Sequence, residues 1–128
     1  MPGFETMRLP AEPTTVAPDG SDVHVLLRVA AGGMARFELA PGRVSTAVRH
    51  RTVEEIWYIV GGRGEMWRGQ GERSEVVDLV PGICLTIPLG TSFQFRSFGP
   101  DALAAIGVTM PAWPGDEEAV PVEGCPDW

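Results

Sequence analysis

The chain has 128 residues, a mass of 13.8 kDa and a formal net charge of −7, the size of one domain able to bury a core without disulfide or metal staples. The acidic balance, with a pI near 4.7, excludes the basic footprint that a nucleic-acid binder needs and disfavours anionic membrane surfaces. All ten basic residues are Arg and Lys is absent, which excludes Schiff-base and Lys-general-base chemistry and reads as the coding bias of a GC-rich, bacterial genome.

Gly (16) and Pro (12) together make 28 of the 128 residues, a proportion that suits a turn-rich all-β domain. Cys84 lies in an apolar run and Cys125 near the C-terminal end, so no disulfide framework is expected. No charged-then-apolar leader opens the chain and no apolar run approaches a membrane span, which makes a cytoplasmic location the expectation.

In chain order, residues 1–21 hold four prolines and no sustained period, and read as an N-terminal arm. From Asp22 the run DVHVLLRVA predicts a strand. In it Val23, Val25 and Leu27 alternate with His24, Leu26 and Arg28, which places His24 on the more exposed face. Gly32-Gly33 is expected to break this strand. MARFELA then sets Ala35, Phe37 and Leu39 against Met34, Arg36 and Glu38, and Pro41-Gly42 marks a turn. VSTAVRH reads as a short strand. EEIWYIV, Gly61-Gly62 and RGEMWR read as a hairpin, and GQGERS as a loop. EVVDLV is a strand closed by Pro81-Gly82, ICLTI a short run ended by Pro88, SFQFRSF an alternating strand, and ALAAIGVTM the last strand, after the turn at Gly99-Pro100-Asp101. Short strands separated by turns, without a capped helical period, predict a sandwich or barrel over 22–110.

Several features have a structural and a functional reading. Ile56, Tyr58 and Val60 make the second face of EEIWYIV apolar, so that face needs a cover, and a homodimer is predicted. Arg49 and Arg51 alternate away from His50 and read as surface charge. Trp57 and Trp67 read as core or dimer contacts. Residues 111–128 carry five acids and no Arg and form a distinct acidic C-terminal tail. It is either a solvated segment or one stapled to the barrel or a partner by Trp113 and Trp128.

Only two histidines, His24 and His50, are present. One chain therefore cannot build a three-His metal centre, and no Gly-x-Ser-x-Gly elbow accompanies them. The glycine-rich run Gly61-Gly62-Arg63-Gly64 sits at a hairpin and opens no helix, so it is no phosphate loop.

The stretch PGRVSTAVRHRTVEEIWYIVGGRGE resembles the first signature of the cupin superfamily: Gly, five residues, His, any residue, His, three or four residues, Glu, six residues, Gly. Gly42 leads to Val48 at the first His position, and His50 matches the second. Glu54 with Gly61 and Glu55 with Gly62 fit the remainder equally by spacing. The family's usual pairing of the second acid with the glycine before the Arg-Gly turn points to Glu55. PGICLTIPLGTSFQFRS is similar to the second signature through Gly82, Pro88 and Gly90, with Phe93 at the His position and Ser97 at the Asn position. The resemblance spans 42–97 by motif and about 22–110 by strand pattern. It implies an all-β double-stranded β-helix, a jelly-roll barrel that commonly dimerises.

The departures bear on function. The family's usual metal site uses His, His, Glu and His, and this chain offers Val48, His50, Glu55 and Phe93. Two ligands of four are replaced by apolar groups, so no firmly bound metal or other cofactor is expected; a weak divalent ion would have His50 and Glu55 alone. His50 and Glu55 are the candidate catalytic pair, expected within reach of each other. Val48, Trp57, Phe93 and Phe95 are the candidate ligand-binding wall, by alternation from the matched positions. Three readings follow: a barrel that binds a small organic molecule, acting as a binding module or as a metal-independent isomerase or cyclase; a metal-dependent cupin enzyme, oxygenase- or isomerase-like, with a reduced site; or a structural or regulatory protein in which the pair is a relic.

Overall fold

The structure, a computed structural model, describes residues 3–128. Eleven strands form among them: β1 (Thr15–Val16), β2 (Asp22–Val29), β3 (Gly32–Leu39), β4 (Val48–His50), β5 (Glu54–Gly61), β6 (Gly64–Gln70), β7 (Arg73–Leu79), β8 (Cys84–Ile87), β9 (Ser92–Ser97), β10 (Leu103–Met110) and β11 (Ala119–Pro121). A single 3-10 turn (Asp116–Glu118) precedes β11. The strands make two sheets, β1-β2-β3-β10-β5-β8 and β11-β4-β9-β6-β7, with every pairing antiparallel. This is the expected double-stranded β-helix. From β3 onward the chain passes from one sheet to the other at every connection except β6–β7, so residues distant in sequence meet between the layers.

The alternation seen in the sequence sets which side chains enter the core. Along β5, Glu55, Trp57 and Ile59 are buried while Glu54, Ile56, Tyr58 and Val60 are exposed. Leu39, Trp57, Ile59, Leu85, Ile87, Leu103 and Ala105 from the first sheet pack against Val48, Met66, Leu79, Phe93 and Phe95 from the second. The outer face of the first sheet keeps an apolar patch. Ile106 lies opposite Tyr58 and Val108 opposite Ile56, and Met34, Ile56 and Tyr58 are 44%, 42% and 50% exposed, too much for side chains packed against their own domain.

Four local expectations change. The strand β2 does not end at Gly32-Gly33: the turn is Ala30-Ala31, and both glycines lie inside β3. A Cβ on Gly32 would stand 2.7 Å from the Thr109 carbonyl oxygen, so this glycine serves a close backbone approach rather than a turn. GQGERS is not a loop, because β6 and β7 run to Gln70 and from Arg73, leaving only Gly71-Glu72 to turn. The polar residues misled because β7 is an exposed edge strand. Within residues 1–21, β1 pairs with β2. Within 111–128, β11 pairs with β4, Val122 N–H donates to the Ala47 carbonyl (3.0 Å), and the Arg96 guanidinium lies 4.4 Å from the Trp128 ring centre. The acidic tail is thus docked on the barrel and not merely solvated.

Candidate functional site

Between the sheets, at the end covered by β1, β2 and residues 112–119, lies a cavity of about 220 Å³. Its walls include Val48, His50, Glu55, Trp57 and Phe93, together with Asp19, Phe37, Thr109 and Trp113. Alternation explains the grouping. Val48 and His50 point inward from β4, Glu55 and Trp57 from β5, and Phe93 from β9. Val48 pairs with Phe93 across the strands, so the two apolar residues at the resemblance's metal-ligand positions face each other. Phe95 is not a wall residue. It is 2% exposed and lies behind Trp57, ring centres 5.1 Å apart, deeper in the core. The alternation that turned it inward could not give its depth.

Trp57 is the floor. Its ring stacks on Phe37 (5.2 Å, 15°) and meets Phe93 edge-on (6.3 Å). Gly107 lies beneath this stack, where a Cβ would come within 2.5 Å of Phe37. The His50 ring is held edge-on between Phe93 (5.2 Å) and Trp113 (5.0 Å). Its Nδ1 is buried and has no hydrogen-bond partner among the described residues. Burial pushes His50 down to about 4, the negative charge of Glu118 opposing only part of this. The imidazole is therefore neutral at pH 7.

Glu55 is 4% exposed, whereas Glu54 faces outward. The Trp57 indole N–H donates to Glu55 Oε2 (2.9 Å). Burial pushes the Glu55 carboxyl up to about 7; the Trp57 hydrogen bond opposes this and the charge of Asp19 adds to it. Among the described residues, no hydrogen bond or ion pair joins His50 to Glu55. The two share a cavity but are not a contacting pair. His50 has Glu118 as its charged neighbour and Glu55 has Asp19.

Two functional neighbours were missed in the sequence. Asp19 is buried, with its Oδ1 accepting from the Ser21 backbone N–H (2.9 Å) and hydroxyl (2.6 Å). Burial raises its carboxyl, the two Ser21 bonds opposing. Asp-x-Ser signalled a turn, but nothing local signals that a long-range contact, Thr46 N–H to the Asp19 carbonyl (2.8 Å), seats it against the barrel. Glu118 accepts from Thr52 N–H, the Thr52 hydroxyl (2.9 Å) and Val53 N–H (2.7 Å), and this pins the 112–119 segment over His50. Burial would raise Glu118, but these bonds and His50 bring it below the usual carboxylate range.

His24 is 5% exposed, contrary to the expectation of a surface group, and its Nδ1 has no partner among the described residues. A register shift between Val25 and Arg28 breaks the alternation from which exposure was read. His24 is not part of the cavity wall. Arg49 and Arg51 are exposed as expected, and Arg51 donates to the Glu117 carbonyl (2.9 Å).

The metal position implied by the cupin resemblance has His50 and Glu55 as its only donors. One Glu55 oxygen is already engaged by Trp57, and among the described residues no three His, Cys, Asp or Glu side chains converge on a point that could hold an ion. This donor set does not fit a resident divalent cation, which needs three or four N, O or S ligands.

The sequence matches no family model and no curated protein. Solved structures do resemble it. An uncharacterized protein with a double-stranded β-helix domain from Klebsiella pneumoniae is 19% identical, with a TM-score of 0.66 over 80% of this chain and 84% of that one. KdgF from Halomonas sp. is 23% identical, with a TM-score of 0.65 over 78% and 87%. The capsular polysaccharide assembling protein CapF from Staphylococcus aureus is 17% identical, with a TM-score of 0.69 over 80% of this chain; the matched region is 32% of the CapF chain. At these identities the likeness speaks for architecture and not for reaction. What the chain shares with these proteins is its architecture: it is a small double-stranded β-helix barrel.

Proposed function

We propose that the chain binds a small organic molecule in the cavity and transfers a proton on it without a metal, as an isomerase or cyclase. The observation that carries this reading is a carboxyl group, Glu55, set into an otherwise largely apolar cavity that a neutral imidazole, His50, enters from the other sheet. A carboxyl poised near 7 can give or take a proton at physiological pH. Neutral His50 can donate or accept a hydrogen bond without bringing charge. Val48, Trp57 and Phe93 supply an apolar wall that excludes water and orients the ligand. The small volume favours a compact molecule.

The test is direct. His50→Ala should abolish ligand binding or turnover while the fold persists. A change in stability of about 1 kcal/mol and nothing else would mark the pair as a relic. Protein purified without chelators should carry far less than one equivalent of metal, and a full equivalent would overturn the metal-independent reading. We also propose a homodimer through the apolar outer face at Ile56, Tyr58 and Val60.

A further inference from the structure

Two carboxyl groups border the cavity, and among the described residues neither has a cationic partner. Asp19 is 8% and Glu55 4% exposed. The groups bonded to them, the Ser21 backbone and hydroxyl and the Trp57 indole, are all neutral. The second oxygen of each, Asp19 Oδ2 and Glu55 Oε1, accepts no hydrogen bond from the described residues. The ion pairs among the described residues, Arg36–Glu38, Arg68–Glu75 and Arg96–Glu65, involve other side chains. Arg28 borders the cavity but is exposed and pairs with neither acid. Buried carboxylates are ordinarily paired, because desolvation without a partner is costly. Phe37, Trp57, Phe93 and Trp113 line the same cavity, and the face of an aromatic ring attracts a cation.

We propose that the cavity selects a small organic cation, an amine with a compact apolar body, whose ammonium group is held by Asp19 and Glu55 while its body lies against Trp57, Phe93 and Trp113. This deepens the small-molecule reading of the cavity and rests on it. An anionic ligand would meet two like charges in a poorly solvated space. A neutral ligand of the same shape would leave the carboxyls without a counter-charge. A divalent metal would find two carboxylates and mostly apolar walls, where it needs further donors.

The proposal carries a proton balance. Burial raises both acids, so a bound ammonium ion takes the place of any proton that the carboxyls hold. Affinity for an amine should therefore rise with pH as Glu55 ionises near 7. The other titratable groups at the cavity are Arg28 of β2, His50 of β4 and Asp116 of the 3-10 turn, with Glu118 beside His50. His50, pushed down to about 4, stays neutral across the relevant range.

The experiment titrates the intact chain with benzylamine, benzyl alcohol, benzoate and zinc chloride, read by calorimetry and by the fluorescence of its tryptophans. Benzylamine should bind roughly tenfold or more tighter than benzyl alcohol, and more tightly still between about pH 6 and pH 8. Asp19→Asn and Glu55→Gln should each remove that preference. The pH dependence of the unaltered chain tests the same point without a variant. Benzyl alcohol or benzoate bound as tightly as benzylamine would overturn the cation inference and leave the binding cavity standing. No response to any organic probe at millimolar concentration would overturn both. Stoichiometric zinc binding that excludes benzylamine would overturn the inference in favour of a metal.

Discussion

Glu55→Gln isolates the cost of the buried carboxyl. In the unfolded chain Glu55 ionises near its ordinary 4.5, and in the folded chain near 7. Between those values the folded state binds more protons than the unfolded state, so stability falls as pH rises. At 1.36 kcal/mol for each tenfold displacement in acidity, the full cost above pH 7 is about 3 kcal/mol. Gln keeps the size of the side chain and can still accept the Trp57 indole N–H, but it never ionises. The variant should therefore match the parent near pH 4.5 and exceed its stability by an amount growing to about 3 kcal/mol near pH 8. His50 works in the opposite sense. Held neutral down to about 4, it makes stability fall as pH drops below 6.5, and this background is common to both proteins and cancels in the difference. Urea unfolding followed by tryptophan fluorescence at a series of pH values measures the quantity. A difference that is flat with pH, or that favours the parent at high pH, would refute the claim that Glu55 is buried without adequate compensation.

Three further changes test the frame around the cavity. Glu118→Ala removes an acceptor from Thr52 N–H, the Thr52 hydroxyl and Val53 N–H; it should cost about 3 kcal/mol and expose the Thr52 and Val53 amides to hydrogen exchange. Gly107→Ala places a methyl group 2.5 Å from Phe37 and 3.3 Å from Trp57, so it should cost about 1–3 kcal/mol and change the near-ultraviolet dichroism of the Phe37–Trp57 stack. Tyr58→Glu puts charge into the exposed apolar patch and should convert a homodimer to monomer in sedimentation at micromolar concentration without altering thermal unfolding of the barrel; a parent chain already monomeric there would refute the dimer.

The alternation in β5 was legible because each side chain's face depends only on its parity along the strand. Glu55, Trp57 and Ile59 share one face by spacing and point inward in the structure; that this face, and so Glu55 rather than Glu54, turns inward came from the resemblance. The glycine and proline skeleton from Gly42 to Gly90 marked the barrel for the same reason, since turn chemistry is local. Parity also put Val48, His50 and Phe93 on inward faces, and they meet at one cavity. It failed where backbone regularity failed, at the β2 register shift that leaves His24 buried, and it could not give depth, which is why Phe95 lies behind the wall. The charged environment of the cavity was not local at all. Asp19 comes from a proline-rich lead-in and Glu118 from an acidic stretch that composition alone assigned to solvent or to stapling by Trp113 and Trp128. Their burial depends on contacts across the fold, Thr46 to Asp19 and Thr52 to Glu118. The sequence by itself determined the strands of the barrel between β2 and β10, the shared faces along most of them and the apolar substitutions at Val48 and Phe93. Tertiary structure alone decided that His50 faces Glu118 and Glu55 faces Asp19, because the state of a buried acid or base is set by whatever the fold brings near it in space.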